Sequence, residues 1–154
     1  MKRVVFVFYM LITSALCFSQ GIDLSFVDNR FVDVKGIPVT GEYNLSIPTS
    51  TENANVRLSN GLLTSTAIYY YPSGKVKTIA CYKDGKKHGE WYQFNEMGNV
   101  VVQAKFYQDK KDGVWKVWND SGSLVMKMKY RMDSKSGVWK EWENSGHLKA
   151  KRKY

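Results

Sequence analysis

The sequence returns on itself every 24 residues, and that period leaves few folds open to it. Gly89, Gly113 and Gly137 stand one period apart, as do Trp91, Trp115 and Trp139. A second aromatic column runs through Phe94, Trp118 and Trp142. Gly74, Gly98, Gly122 and Gly146 keep the register, each followed two residues later by Val76, Val100, Leu124 or Leu148. Tyr82, Phe106, Tyr130 and Tyr154 close the units, and Gly41-Glu42-Tyr43 echoes Gly89-Glu90-Trp91. The chain therefore reads as four clear copies of a unit and one degenerate copy.

Each copy predicts a β-hairpin. Val114 to Trp118 is a β-branched and aromatic run that favours a strand. Asn119-Asp120-Ser121-Gly122 is turn chemistry, with Gly122 free to take a positive φ. From Ser123 to Tyr130 apolar and polar residues alternate, as in a half-buried strand. Arg131 to Gly137 supplies the next polar turn, and residues 61–154 contain no helical pattern of useful length. One hairpin is marginal in water, so successive hairpins must bury their faces against each other.

This combination of glycine-x-tryptophan opening, turn glycine and closing aromatic resembles the bacterial variant of the MORN repeat. The resemblance covers about residues 36–154 and is clearest from Ser73 onward, as in Asp84-Gly85-Lys86-Lys87-His88-Gly89-Glu90-Trp91. It implies an all-β, elongated antiparallel meander of hairpins used for binding or scaffolding. Ser50 stands where a turn glycine belongs and Ser65 where an opening glycine belongs, so residues 41–66 are expected to be less regular.

Strand alternation assigns the faces, given turns of two or four residues. Trp115 and Val117 then share a face with Leu124, Met126, Met128 and Tyr130. Trp91 falls with Val100, Val102 and Phe106, and Trp139 with Leu148 and Tyr154. This is the expected core face, with Gly89, Gly113 and Gly137 as its structural glycines. The opposite face receives Tyr70, Phe94, Trp118 and Trp142, together with Lys77, Lys105, Lys116, Lys127, Lys129, Lys140, Lys149, Lys151 and Lys153. Two readings of that face stay open. Lysine stems can lie over the rings and keep them soluble. Alternatively, the strip is a binding surface in which aromatic anchors and positive charge meet a partner. The candidate binding residues are Tyr70, Phe94, Trp118, Trp142, Lys116, Lys127, Lys129 and Lys140.

The N-terminus reads differently. Met1-Lys2-Arg3, an uncharged apolar run from Val4 to Phe18, and small residues at Cys17 and Ser19 form the layout of a signal peptide, 1–19. An uncleaved anchor and a lipidated Cys17 are the alternatives, but the run is short of the ~20 residues a spanning helix needs. The expected location is therefore export, to periplasm, surface or medium. Residues 20–40 are expected to form an irregular capping hairpin turning at Asp28-Asn29, and residues 47–55 a loop. Lys149, Lys151, Arg152 and Lys153 would protect the last strand from edge-to-edge pairing, or leave it to a partner strand.

Charge is uneven along the chain. The whole sequence carries +9, and loss of Lys2 and Arg3 with the leader leaves +7. Residues 20–60 hold three Lys/Arg and five Asp/Glu, whereas residues 61–154 hold eighteen and nine. That balance suits an anionic lipid or acidic glycan as one class of partner, and a protein or other envelope component as another. Export takes the protein away from nucleic acid. Cys81 is the only cysteine beyond the leader, so no internal disulfide is expected. With only His88 and His147 besides, no zinc-type spacing exists, and neither metal nor cofactor is expected. Gly85 to Gly89 lacks the Lys-Ser/Thr of a phosphate loop, and Asp109, Asp112, Asp120 and Asp133 fall in turns. The sequence therefore offers no enzyme site.

Overall fold

Two kinds of turn alternate along the chain and set the sheet. Asn60-Gly61, Asp84-Gly85, Gln108-Asp109 and Met132-Asp133 all have positive φ at both residues. That is the two-residue turn whose twist matches the strands it joins. Between them lie five-residue loops with glycine in fourth place, Gly74, Gly98, Gly122 and Gly146, at φ of 80, 87, 81 and 86°. In the loop after Trp118, Asn119 N donates to Ser123 O and Gly122 N to Asn119 O, at 3.0 and 2.9 Å. The Asn119 side chain closes the loop by accepting from Ser123 N.

The computed structural model describes residues 7–11, 21–47 and 52–154. Its strands are β1 (Val7–Leu11), β2 (Gly21–Val27), β3 (Arg30–Val32), β4 (Gly41–Ile47), β5 (Glu52–Ser59), β6 (Leu62–Tyr70), β7 (Val76–Lys83) and β8 (Lys86–Phe94). They continue with β9 (Val100–Tyr107), β10 (Lys110–Lys111), β11 (Gly113–Trp118), β12 (Leu124–Arg131), β13 (Ser134–Lys135), β14 (Val138–Trp142) and β15 (Leu148–Lys153). Every regular element among the described residues is a strand. All belong to one sheet, an antiparallel meander from β4 to β15. The short β10 and β13 extend the pairing of β9 and β12. Beyond β4 the sheet runs on to β1, β2 and β3, so β4 pairs with β1 and the connection from β3 to β4 crosses over.

Val7–Leu11, inside the segment read as a leader, pairs with β2 from Val7↔Ser25 to Leu11↔Gly21 and with β4 at Met10↔Leu45 and Leu11↔Asn44. Cys17, Ser19 and Ser50 lie outside the described residues. β2 and β3 form a hairpin that turns at Asp28-Asn29. The expected loop at 47–55 is shorter than its composition implied: Ile47 ends β4, and Glu52 to Asn55 are already in β5, paired from Ile47↔Glu52. The polar residues there alternate with Ala54, Val56 and Leu58, which are buried, so the strand's period outweighs the turn-rich composition.

One face of the sheet holds the core. Leu24, Leu45, Ala54, Val56, Leu58 and Ala67 form its buried centre, with Phe31, Tyr43, Tyr69 and Tyr82 packed around them. Phe31 N donates to Gly61 O at 2.8 Å and Gly61 N to Val39 O at 2.7 Å, so the segment after β2 is fastened to the β5–β6 turn. Burial thins toward the C-terminus, where Met126 is 37% exposed.

The opening column runs through Gly41, Ser65, Gly89, Gly113 and Gly137, all at positive φ. Ser65 keeps the conformation without the residue suited to it, at φ 62°. A side chain in the left-handed region costs ~1–2 kcal/mol. Ser65→Gly should therefore raise stability by about 1 kcal/mol, visible as a higher urea midpoint at unchanged slope.

Candidate binding face

The inner face is organised by a ladder of rings. Tyr82, Trp91, Phe106, Trp115, Tyr130, Trp139 and Tyr154 follow one another with centroids 4.9 to 5.5 Å apart, mostly edge to face. This is the geometry aromatic quadrupoles prefer. Each tryptophan also donates its indole N–H to a backbone carbonyl ten residues earlier: Trp91 to Cys81, Trp115 to Lys105 and Trp139 to Lys129, at 2.9, 3.1 and 2.9 Å. The opening glycines explain the position of these bonds. At Gly113 (φ 99°) a Cβ would lie 3.1 Å from Lys105 Cδ, so the strand approaches its neighbour closely there. Two residues later the indole reaches the Lys105 carbonyl.

Lys87, Lys111 and Lys135 place their ammonium groups over successive ring pairs, Lys111 at 4.9 Å from Trp115 and 5.1 Å from Tyr130. These one-per-repeat cation–π contacts escaped the sequence reading, although the three lysines are spaced by the period. Asp109 and Asp133 do more than form turns. Their carboxylates accept from Lys87 N and Lys111 N at 2.8 Å, tying each two-residue turn to the preceding repeat.

At the start of the ladder the Tyr69 and Tyr82 hydroxyls are 3.1 Å apart. Burial raises both phenol pKa values above the ordinary 10, and Tyr69 raises that of Tyr82 further. Unfolded tyrosine ionises near pH 10 while these remain neutral. Their contribution to stability is thus complete below about pH 10 and is lost as pH rises further. The melting temperature should hold up to about pH 10 and fall as pH rises beyond it, less steeply in Tyr82→Phe.

The register corrects the expected faces at one point. Trp115 pairs with Met128 and Val117 with Met126, but Trp118 pairs with Leu124 across a register shift. Phe94↔Val100, Trp142↔Leu148 and Tyr70↔Val76 repeat the shift. The loops have five residues, and the bulge beside each restores parity only after one residue has changed face. Val100, Leu124 and Leu148 therefore lie opposite the second aromatic of their unit, on the outer face, and not beside Trp91, Trp115 and Trp139. Lys149 is a bulge residue too: it pairs with Glu141 at 2.6 Å, whose cross-strand neighbour Ala150 belongs to the inner face. Both glutamate charge and hydrogen bond raise the Lys149 pKa.

The outer face carries Tyr70, Phe94, Trp118 and Trp142, each half-buried. Among the described residues the Trp118 and Trp142 indoles have no hydrogen-bond acceptor, unlike Trp91, Trp115 and Trp139, and neither ring joins the ladder. Lys116 stands 6.0 Å from the Trp118 ring centre.

Beside them runs a file of lysines. Lys116 is directly opposite Lys127, Lys127 opposite Lys140, and Lys140 opposite Lys151. Among the described residues none of the four has an acidic partner. Like charges directly opposed on a sheet are destabilising. Earlier units fill the same column with Asn44↔Asn55, Ile68↔Ile79 and Tyr92↔Gln103, so the fold itself accepts neutral pairs there. A second row flanks the file, where Val114 pairs with Lys129 and Val138 with Lys153. No cluster of metal-ligating side chains occurs among the described residues.

Two segments of the chain, residues 63–84 and 111–132, match the family model of the MORN repeat variant. Each begins at the second residue of the strand that follows one two-residue turn and ends at the first residue of the next such turn, so the family's unit and the structural unit keep the same register. The match and the antiparallel meander together agree with MORN-type repeats, which generally serve as non-catalytic binding or scaffold modules. No curated protein matches the chain.

Proposed function

We propose that this is an exported, non-catalytic binding module that holds another protein or an envelope component on the outer face of its sheet. The observation that carries the reading is the division of labour between the two tryptophan columns. Trp91, Trp115 and Trp139 are spent on the fold, through ring contacts and indole hydrogen bonds. Trp118 and Trp142 have neither, yet stand in line with Leu124 and Leu148, the latter 53% exposed. Aromatic residues are enriched at interface centres, and charged side chains such as these lysines belong to the polar rim around them.

A second reading, attachment to an anionic lipid or acidic glycan, is favoured by the unneutralised lysine file. Salt separates the two: ionic attachment weakens sharply as salt rises, and an aromatic-anchored contact does so much less. The test is retention of the full-length protein by envelope material from the cells that produce it, with Trp118→Ala/Trp142→Ala as the variant. The reading requires the variant to fold normally and to lose retention. Unchanged retention by a folded variant rejects the outer face as the binding surface.

A further inference from the structure

We infer that the lysine file Lys116–Lys127–Lys140–Lys151 is a binding track for a linear acidic polysaccharide lying across the strands. The inference rests on the outer face being the binding surface, and adds the chemical class of its ligand.

Three observations converge on it. First, the file has no structural cause: the same column holds Ile68↔Ile79 and Tyr92↔Gln103 in earlier units, and directly opposed lysines work against the fold. Second, the strand acid of β11 to β15, Glu141, belongs to the inner face and is engaged by Lys149, while Glu90 of β8, on the outer face, stands opposite Lys105 and makes no ion pair with the file among the described residues. Asp109, Asp120 and Asp133 sit in turns at the strand ends, and Glu143 begins a loop. Third, the spacing is regular. Strands stand about 4.8 Å apart, so the backbone positions of the four lysines repeat at that interval over roughly 14 Å. Lys129 and Lys153, on alternate strands, repeat at roughly twice it.

That regularity discriminates between anions. An extended acidic peptide presents side chains to one side about every 6.8 Å, which drifts out of step with the strands. A linear polyuronate carries carboxylates at a fixed repeat of one or two sugar units along a stiff axis, a distance of the same order as one or two strand separations. Its stiffness also means that little conformational freedom is lost on binding. Trp118 and Trp142, two strands apart beside the file, offer ring faces on which the C–H faces of sugars stack. A bilayer's head groups are laterally mobile and impose no register, so a membrane would respond to total charge, not to which lysines carry it.

The experiment titrates the purified full-length protein with oligogalacturonates of increasing length, with neutral galactan and with vesicles containing phosphatidylglycerol. Lys127→Gln/Lys140→Gln is compared with Lys86→Gln/Lys110→Gln, which removes the same charge at exposed turn-flanking positions. Binding of oligogalacturonate above a minimum length, weakened roughly tenfold by the first variant and less than about twofold by the second, is the expected result, with a shallower salt dependence for the first. Because Lys127→Gln/Lys140→Gln relieves repulsion, it should melt no lower than the parent, which separates lost binding from lost folding. Equal losses in the two variants overturn the track in favour of unspecific charge. Vesicle binding without oligogalacturonate binding overturns it in favour of lipid. Absence of oligogalacturonate binding while the Trp118→Ala/Trp142→Ala variant still loses envelope retention removes this inference and leaves the binding-module reading standing.

Discussion

Trp115→Ala should lower the melting temperature by about 10 °C. Trp115 sits in the middle of the ring ladder, 5.1 Å from Phe106 and 5.5 Å from Tyr130, with Lys111 above it. Truncating a packed tryptophan costs ~3–5 kcal/mol, and each kcal/mol moves the midpoint of a chain this size by roughly 2–4 °C. The substitution also leaves the Lys105 carbonyl without its indole donor. Because the units are stacked, the defect interrupts the ladder between the repeats on either side. Calorimetry reads the loss directly. An unchanged midpoint would mean that the ladder is decoration and that the backbone pairing alone holds the repeats.

The second large effect is expected at Gly61. A Cβ placed there would lie 2.6 Å from the Phe31 carbonyl oxygen and 2.9 Å from Arg30 Cβ, at a φ of 74° that side chains rarely adopt. Backbone cannot yield as a flexible side chain does, so Gly61→Val should cost roughly 2–5 kcal/mol from strain and overpacking together. The damage should be local. Hydrogen exchange should show the Phe31 and Gly61 amides losing protection, because their bonds to Gly61 O and Val39 O break, while amides of β11 to β15 keep theirs. Uniform loss across the sheet would show that the N-terminal clamp and the distal repeats unfold as one unit.

The ladder was legible because Trp91, Trp115 and Trp139, and the aromatics closing each unit, are rigid, bulky and spaced by the period. The meander followed from the same columns. What resisted was local: a five-residue loop followed by a bulge looks, in a string of letters, like an even turn, and it moved Val100, Leu124 and Leu148 to the outer face. The spacing of Asn119 and Gly122, repeated by Asn95 and Gly98, was the available signal. Lys87, Lys111 and Lys135 were hidden because cation–π contact depends on where a long stem leans. The clamp at Gly61 was hidden because it joins segments from different parts of the chain. Of the outer face, the second aromatics and the lysines of the file could be read from alternation, but not Val100, Leu124 and Leu148, nor the opposition of lysine to lysine, which requires the register between hairpins.

The proposed division gives the inner tryptophans to the fold and the outer ones to a partner. The most direct measurement pairs melting temperature with envelope retention for Trp115→Ala and for Trp118→Ala/Trp142→Ala in the full-length protein. A dissociation is expected: the first variant loses about 10 °C, whereas the second melts within a few degrees of the parent and is no longer retained. Retention unchanged in the second variant, or a fall in its melting temperature as large as that of Trp115→Ala, would contradict it.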